Sequence, residues 1–274
     1  MKKTGELDAL GAIMLWALFA TLVRHVGQTQ PLLLTGIALC CGSLASVHRW
    51  RDWRVPPATF AFGAGCLFVY HAALVAAFGL APIAQANLIN YLWPILLVLL
   101  GARRPGGALQ PVQLAGCAAA FLGCVVAIAP SAASFDPRHL AGYALAALAA
   151  LTWAWYSLGP RCMAPFSAWA TGGFCAGAGV AALLAHALFE APYRPAAAEL
   201  LSIAAIGIGP LGLSFVLWNR AMRHGSASRI GSLCYLTPIL STGALGVAGA
   251  IDPGAWWRLL PALALVIAGA RLAR

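Results

Sequence analysis

The chain has 274 residues, 62% of them hydrophobic and only 9% charged, with a formal net charge of +10. A soluble domain carries about 25% charged residues, so this composition excludes a globular fold exposed to water. The basic residues are scattered at the ends of apolar runs and form no dense stripe, which argues against a nucleic-acid partner.

A bilayer core about 30 Å thick takes roughly 20 apolar residues per helical crossing. Backbone groups in lipid must be satisfied within the chain, which leaves helices or a closed barrel. The apolar runs here are too long and continuous for barrel strands. In chain order they predict an all-α integral membrane protein with spans at 8–26, 31–48, 58–80, 83–101, 111–129, 138–158, 165–189, 199–223, 226–248 and 255–272. The opening Lys2 and Lys3 ahead of an apolar run imitate a signal peptide. Glu6 and Asp8 fit that reading poorly, and the segment has a counterpart later in the chain.

With a cytoplasmic N-terminus, one side of these ten spans holds Lys2, Lys3, Arg49, Arg51, Arg54, Arg103, Arg104, Arg161, Arg220, Arg223, Arg229, Arg271 and Arg274. The other side holds Arg24, Arg138, Arg194 and Arg258. This asymmetry predicts that both termini are cytoplasmic. The eight cysteines lie mostly inside apolar runs without paired ligand spacing, so they read as small packing residues and not as a disulfide or metal framework.

Comparing the sequence with itself reveals a duplication. Tyr91-Leu92-Trp93-Pro94-Ile95-Leu96 recurs as Tyr235-Leu236-Thr237-Pro238-Ile239-Leu240, a shift of 144 residues. At a shift of 137, Gly5 pairs with Gly142, Trp16-Ala17 with Trp153-Ala154, and Arg24 with Arg161. Gly123 similarly matches Gly269. The chain is thus expected as two five-helix repeats, 1–130 and 131–274. An odd helix number per repeat makes the two halves inverted, an arrangement common among secondary transporters.

These residues resemble the drug/metabolite transporter superfamily in its ten-helix EamA-type branch. The resemblance is carried by the early Trp of the first and sixth spans, by Pro94 and Pro238, and by the closing Gly of each half. Asn87 to Pro94, preceded by Tyr70 and His71, narrows it toward bacterial inner-membrane exporters of aromatic amino acids. The resemblance implies a multi-pass protein of the bacterial inner membrane whose partners are a small-molecule substrate and the lipid bilayer. The chain is expected to act as a monomer.

Secondary transporters bind substrate near the bilayer midplane. Tyr70 and His71 fall near the middle of the third span, and Asn87, Asn90, Tyr91 and Trp93 in the fourth. Polar groups at that depth are costly unless paired or facing water, which makes them candidates for substrate binding. The competing reading takes each asparagine as a hydrogen-bonding contact between helices, and His71 as a satisfied helix contact. Trp155, Trp218 and Tyr235 are further candidates. An interfacial belt competes for Trp155 and Trp218, and fits Trp50, Trp53, Trp256 and Trp257 well. Pro94 and Pro238 each remove a helical hydrogen bond and are candidate hinges or static kinks.

All seven acidic residues, Glu6, Asp8, Asp52, Asp136, Glu190, Glu199 and Asp252, fall at span ends or in loops. An exporter of cationic drugs coupled to protons would be expected to carry a carboxylate within the membrane. Lys2 and Lys3 are the only lysines, so there is no P-loop and no ATP-driven pump within this chain. The sequence therefore predicts no cofactor, no metal and no enzymatic activity. The expected function is export of aromatic and other apolar amino acids and related metabolites by alternating access, without strict proton coupling. A broader metabolite or drug exporter is the alternative, and an integral membrane enzyme is a more distant one.

Overall fold

The computed structural model describes residues 2–103, 110–128, 135–247 and 256–273. Arg104, Asp252 and Arg274 lie outside them, as do the side chains of Lys2, Lys3, Trp256 and Arg258. Among the described residues the apolar runs fold as helices and no strand occurs. In chain order the helices are α1 (Lys2–Leu22), α2 (Pro31–Ser43), α3 (Pro57–Leu80), α4 (Ile83–Asn90), α5 (Trp93–Ala102), α6 (Pro111–Ile128), α7 (Leu140–Cys162), α8 (Thr171–Phe189), α9 (Ala197–Ile206), α10 (Ser214–His224), α11 (Ala227–Leu233), α12 (Leu236–Val247) and α13 (Trp256–Leu272). Three of them, α2, α3 and α6, open on proline, which lacks the N–H that a first turn cannot use.

Seven stretches are long and apolar enough to cross a bilayer: Gly5–His25, Pro31–Trp53, Pro57–Leu80, Ile83–Ala102, Ala168–Phe189, Ala197–His224 and Ala227–Val247. The other predicted windows hold the shorter apolar helices Pro111–Ala127 and Leu259–Leu272 and the 23-residue α7. Large apolar side chains on the outside, among them Leu7, Met14, Leu184, Leu188 and Leu201, are more than half exposed. Such a surface suits acyl chains and not water.

Three of the sequence windows contain interrupted helices. α4 ends at Asn90 and α5 starts at Trp93, because Pro94 has no N–H to return to the Asn90 carbonyl. The turn tightens instead, with Leu92 N–H donating to the Ile89 carbonyl at 3.0 Å. Pro238 acts in the same way between α11 and α12, where Thr237 N–H donates to the Cys234 carbonyl at 3.0 Å. Each break therefore lies two to four residues ahead of its proline, and each proline sits in the first turn of the following helix. The window at 199–223 carries an interruption that the sequence reading does not anticipate. Gly207–Leu213 widens into a π-helical segment around Pro210, joining α9 to α10.

The main packing partners are α6 with α13, α2 with α8, α3 with α7 and α1 with α10. Small residues mark where these helices touch. Gly116 and Gly269 back onto each other so closely that a Cβ on either would meet the other's carbonyl oxygen. Gly36 abuts Leu183, Gly179 abuts Cys40, Gly5 abuts Gly225, Gly142 abuts Ala81, and Gly123 abuts Ala262. Close approach of backbones replaces the hydrophobic drive that lipid cannot supply.

The described acidic residues hold the ends of the bundle. At the end carrying the N-terminus, Glu6 pairs with Arg229 at 2.6 Å and Asp8 with Arg220 at 3.3 Å, tying α1 to α11 and α10. At the opposite end Glu190 accepts from the N–H groups of Leu32 and Leu33 at 2.8 and 3.2 Å, and pairs with His186 at 2.8 Å. A carboxylate suits that position, at the positive N-terminal end of α2. Glu199 accepts from Tyr193 Oη and from the Ala196 N–H, and the Arg138 guanidinium beside Asp136 holds its carboxyl below the usual carboxylate range.

Candidate functional site

Two helices build the centre of the bundle by the same spacing. Trp153, Tyr156 and Ser157 on α7, and Phe215, Trp218 and Asn219 on α10, each occupy positions i, i+3 and i+4, and so share one face. Both faces point inward: Trp218 is fully buried, and Trp153, Tyr156 and Phe215 are 2–3% exposed. Trp16 of α1, Tyr70 and His71 of α3 and Trp93 of α5 complete a closed aromatic cluster.

Trp153 is the hub. Its ring centroid lies 4.9 Å from Tyr70, 5.2 Å from Phe215, 5.3 Å from Tyr156, 5.8 Å from Trp16, 6.4 Å from Trp93 and 6.5 Å from Trp218. Trp93 meets Trp218 edge to face at 5.4 Å, and Trp16 meets Trp218 at 5.3 Å. These separations are the favourable range for tilted and edge-on aromatic pairs.

A polar shell fixes the orientation of the rings. Trp218 Nε1–H donates to Ser157 Oγ at 3.0 Å, and Ser157 donates in turn to the Trp153 carbonyl at 2.8 Å. The Asn219 amide nitrogen lies 2.8 Å from Tyr156 Oη and 2.9 Å from Thr171 Oγ1, linking α10 to α7 and α8. His71 Nδ1 lies 2.7 Å from the Leu67 carbonyl. A carbonyl only accepts, so Nδ1 carries the proton and a neutral ring keeps Nε2 as an acceptor. Asn90 donates to Tyr70 Oη at 3.5 Å, while its buried Oδ1 has no hydrogen-bond partner.

Of the residues singled out by sequence, Tyr70, His71, Trp93 and Trp218 meet in this cluster, and Asn90 reaches it through Tyr70. Tyr235 does not. It is fully buried in a second apolar group between α6, α12 and α13, 5.9 Å from Phe121, and its hydroxyl has no partner. Tyr91 packs against that second group as well. Asn87 is half-buried and contributes its carbonyl to the turn at Tyr91. Trp155 lies two residues from Trp153, on the far side of α7, and is 53% exposed beside an outward groove lined by Phe62, Cys66 and Leu151.

Trp16, Trp153, Tyr156, Phe215 and Asn219 belong to the cluster although the sequence reading leaves them out of the candidate site. The signal for two of them was present, since Trp16 and Trp153 are the duplicated tryptophans of the first and sixth spans. The cluster contains no carboxylate from the described residues, whose acidic side chains lie at the bundle ends, and no group of potential metal ligands occurs among those residues.

Comparison with known proteins agrees with this arrangement of helices. Residues 140–250 match the EamA-like transporter family. The chain is 34% identical, over 99% of its length and 97% of the relative's, to the aromatic amino acid exporter YddG of Ancylobacter novellus. A crystal structure 35% identical to the chain superposes with a TM-score of 0.93, covering 100% of this chain and 97% of the other. The chain therefore belongs to the EamA-like family of the drug/metabolite transporter superfamily.

Proposed function

We propose that the chain is a secondary transporter that exports aromatic and other apolar amino acids, and related small metabolites, from the bacterial cytoplasm. The observation that carries this reading is the closed aromatic cluster at the bundle centre, built from α1, α3, α5, α7 and α10 without an acidic side chain from the described residues. When the rings part, a substrate side chain of the same chemistry replaces one ring contact by another. The Nε2 of His71 and the Oδ1 of Asn90 are the acceptors left over for its ammonium group.

Alternating access between inverted halves, 1–130 and 131–274 in ten crossings, follows from the sequence duplication. The helix contacts support it. The register that pairs Gly36 with Gly179 also pairs Cys40 with Leu183, so the contact of Gly36 with Leu183 is repeated by that of Gly179 with Cys40. Gly116 against Gly269 and Ala262 against Gly123 form a second such pair, and Gly5 against Gly225 and Gly142 against Ala81 a third. A two-fold relation between halves generates this pattern, and it brings the duplicated Trp16 and Trp153 together at 5.8 Å.

The protein sits in the inner membrane with both termini cytoplasmic, in keeping with the arginine-rich end formed by Arg49, Arg51, Arg54, Arg161, Arg220 and Arg229. Pro94 and Pro238 bend two of the three interrupted helices, and Tyr91 and Tyr235 lie beside those bends. Export runs down the substrate gradient as a monomer, without an obligatory proton.

Competition against labelled phenylalanine in proteoliposomes tests the substrate class. Tryptophan, tyrosine and leucine are expected to compete, with lysine and glutamate inert. Competition by amphipathic drugs equal to that of tryptophan would favour the broader exporter.

A further inference from the structure

We propose that the connection between α2 and α3 is a binding site for the phosphodiester headgroup of an anionic phospholipid. The segment reads Leu44-Ala45-Ser46-Val47-His48-Arg49-Trp50-Arg51-Asp52-Trp53-Arg54, with three arginines, a histidine and two tryptophans inside seven residues. It folds as the 3₁₀-helical stretch Leu44–Trp53, bent at Arg49 (φ −117°, ψ 30°). Its first residues complete the crossing that starts at Pro31, within the apolar stretch Pro31–Trp53, and α3 starts the next at Pro57, so the charged turn between them lies at headgroup level.

Its inner face is fastened to the bundle. Trp53 Nε1–H donates to Ser46 Oγ at 3.0 Å, and the Trp53 ring lies on Gly172 of α8. Ser167 donates to Asp52 at 2.8 Å, and the His48 ring stands edge-on to Trp169 at 4.8 Å. Trp53, expected in an interfacial belt, is thus an anchor, and Trp50 alone of the two faces outward.

The outer face combines two chemistries that water does not favour together. Leu44, Val47 and Trp50 are about half exposed. Beside them the guanidinium carbons of Arg51 and Arg54 lie 5.8 and 5.4 Å from the centre of the Trp50 ring. Asp52 is engaged by Ser167 and by Arg49 at 3.5 Å, so among the described residues no carboxylate pairs with Arg51 or Arg54. A lipid meets all of these demands at once. Acyl carbons cover Leu44 and Val47, Trp50 sits at the glycerol level, and two guanidiniums held against an indole present their forks to a phosphate. A surface cavity of about 400 Å³ lined by His48, Arg49, Trp50, Arg51 and Asp52 opens beside them. The inference needs only that the chain spans a membrane and does not depend on what it transports.

Native mass spectrometry of the purified full-length chain, titrated with phosphatidylglycerol, phosphatidylcholine or inorganic phosphate, tests the site. Phosphatidylglycerol is expected to bind more tightly than phosphatidylcholine, with no adduct from phosphate alone at equal concentration. The double substitution Arg51→Gln and Arg54→Gln is expected to weaken phosphatidylglycerol binding about thirtyfold, whereas Arg138→Gln at the opposite end leaves it unchanged. Should the double variant fail to fold, Trp50→Ala, whose side chain takes no part in the anchoring, is expected to weaken binding several-fold. Equal binding of the two lipids, an equal response to Arg138→Gln, or full affinity in both site variants would overturn the proposal. Saturation by inorganic phosphate would overturn its lipid identity, leaving a site for free anions.

Discussion

Replacing Trp153 by leucine removes the hub of the aromatic cluster while keeping an apolar side chain there. Truncation to alanine would cost about 3–5 kcal/mol in an already closed core and confuse folding with transport. Leucine leaves a smaller void and deletes the ring's pairings with its six neighbours, all within 4.9–6.5 Å. An aromatic pair contributes about 0.5–1.5 kcal/mol beyond the area it buries. If a substrate ring pairs with Trp153 when the cluster opens, that term is lost for phenylalanine and absent throughout for leucine as substrate. The preference for phenylalanine over leucine should therefore fall about 2- to 13-fold per lost pair. Counterflow in proteoliposomes, with the two amino acids competing, reads this ratio independently of the amount of active protein. An unchanged ratio in a Trp153→Leu protein that still transports would refute the placement of the substrate ring.

Asn219→Leu removes the amide that donates to Tyr156 Oη and Thr171 Oγ1 in the core, with Thr171 still donating to the Ala168 carbonyl; each lost hydrogen bond costs about 0.5–1.5 kcal/mol, so detergent melting should drop by several degrees and more than in Asn87→Leu. Gly269→Leu forces a side chain into the Gly116 backbone and should abolish a monodisperse peak in size exclusion, whereas Gly79→Leu, with open space around it, should not. Reporter fusions after residue 52 and near residue 194 should report opposite sides of the membrane, cytoplasmic first; a shared location would break the ten-crossing topology.

The sequence disclosed the helical windows because they are continuous apolar runs, seven of them of bilayer length among the described residues, and hydropathy reports burial in lipid regardless of contacts. It disclosed less of the site, because depth in a span does not say which way a side chain points. Trp153 and Trp155 differ by two residues, about 200° around a helix, so one is the hub of the cluster and the other faces outward. Tyr91 and Tyr235 repeat faithfully, yet they lie beside the proline breaks and pack toward α6 and α13. The Trp16 and Trp153 repeat carried the better signal, since the two rings meet at 5.8 Å inside the cluster. The π-helical widening at Gly207–Leu213 was hidden for another reason. Its run of Gly, Ile and Leu around Pro210 is as apolar as the helix on either side, and a change of helical pitch leaves no trace in hydropathy.

Efflux of labelled phenylalanine from proteoliposomes with equal pH and no membrane potential across the bilayer tests the central claim most directly. The absence of an acidic side chain of the described residues from the aromatic cluster predicts that efflux continues down the substrate gradient, saturates, and is slowed by external tryptophan. No flux until a proton gradient is imposed would contradict the account and direct attention to His71, the titratable ring at the edge of the cluster.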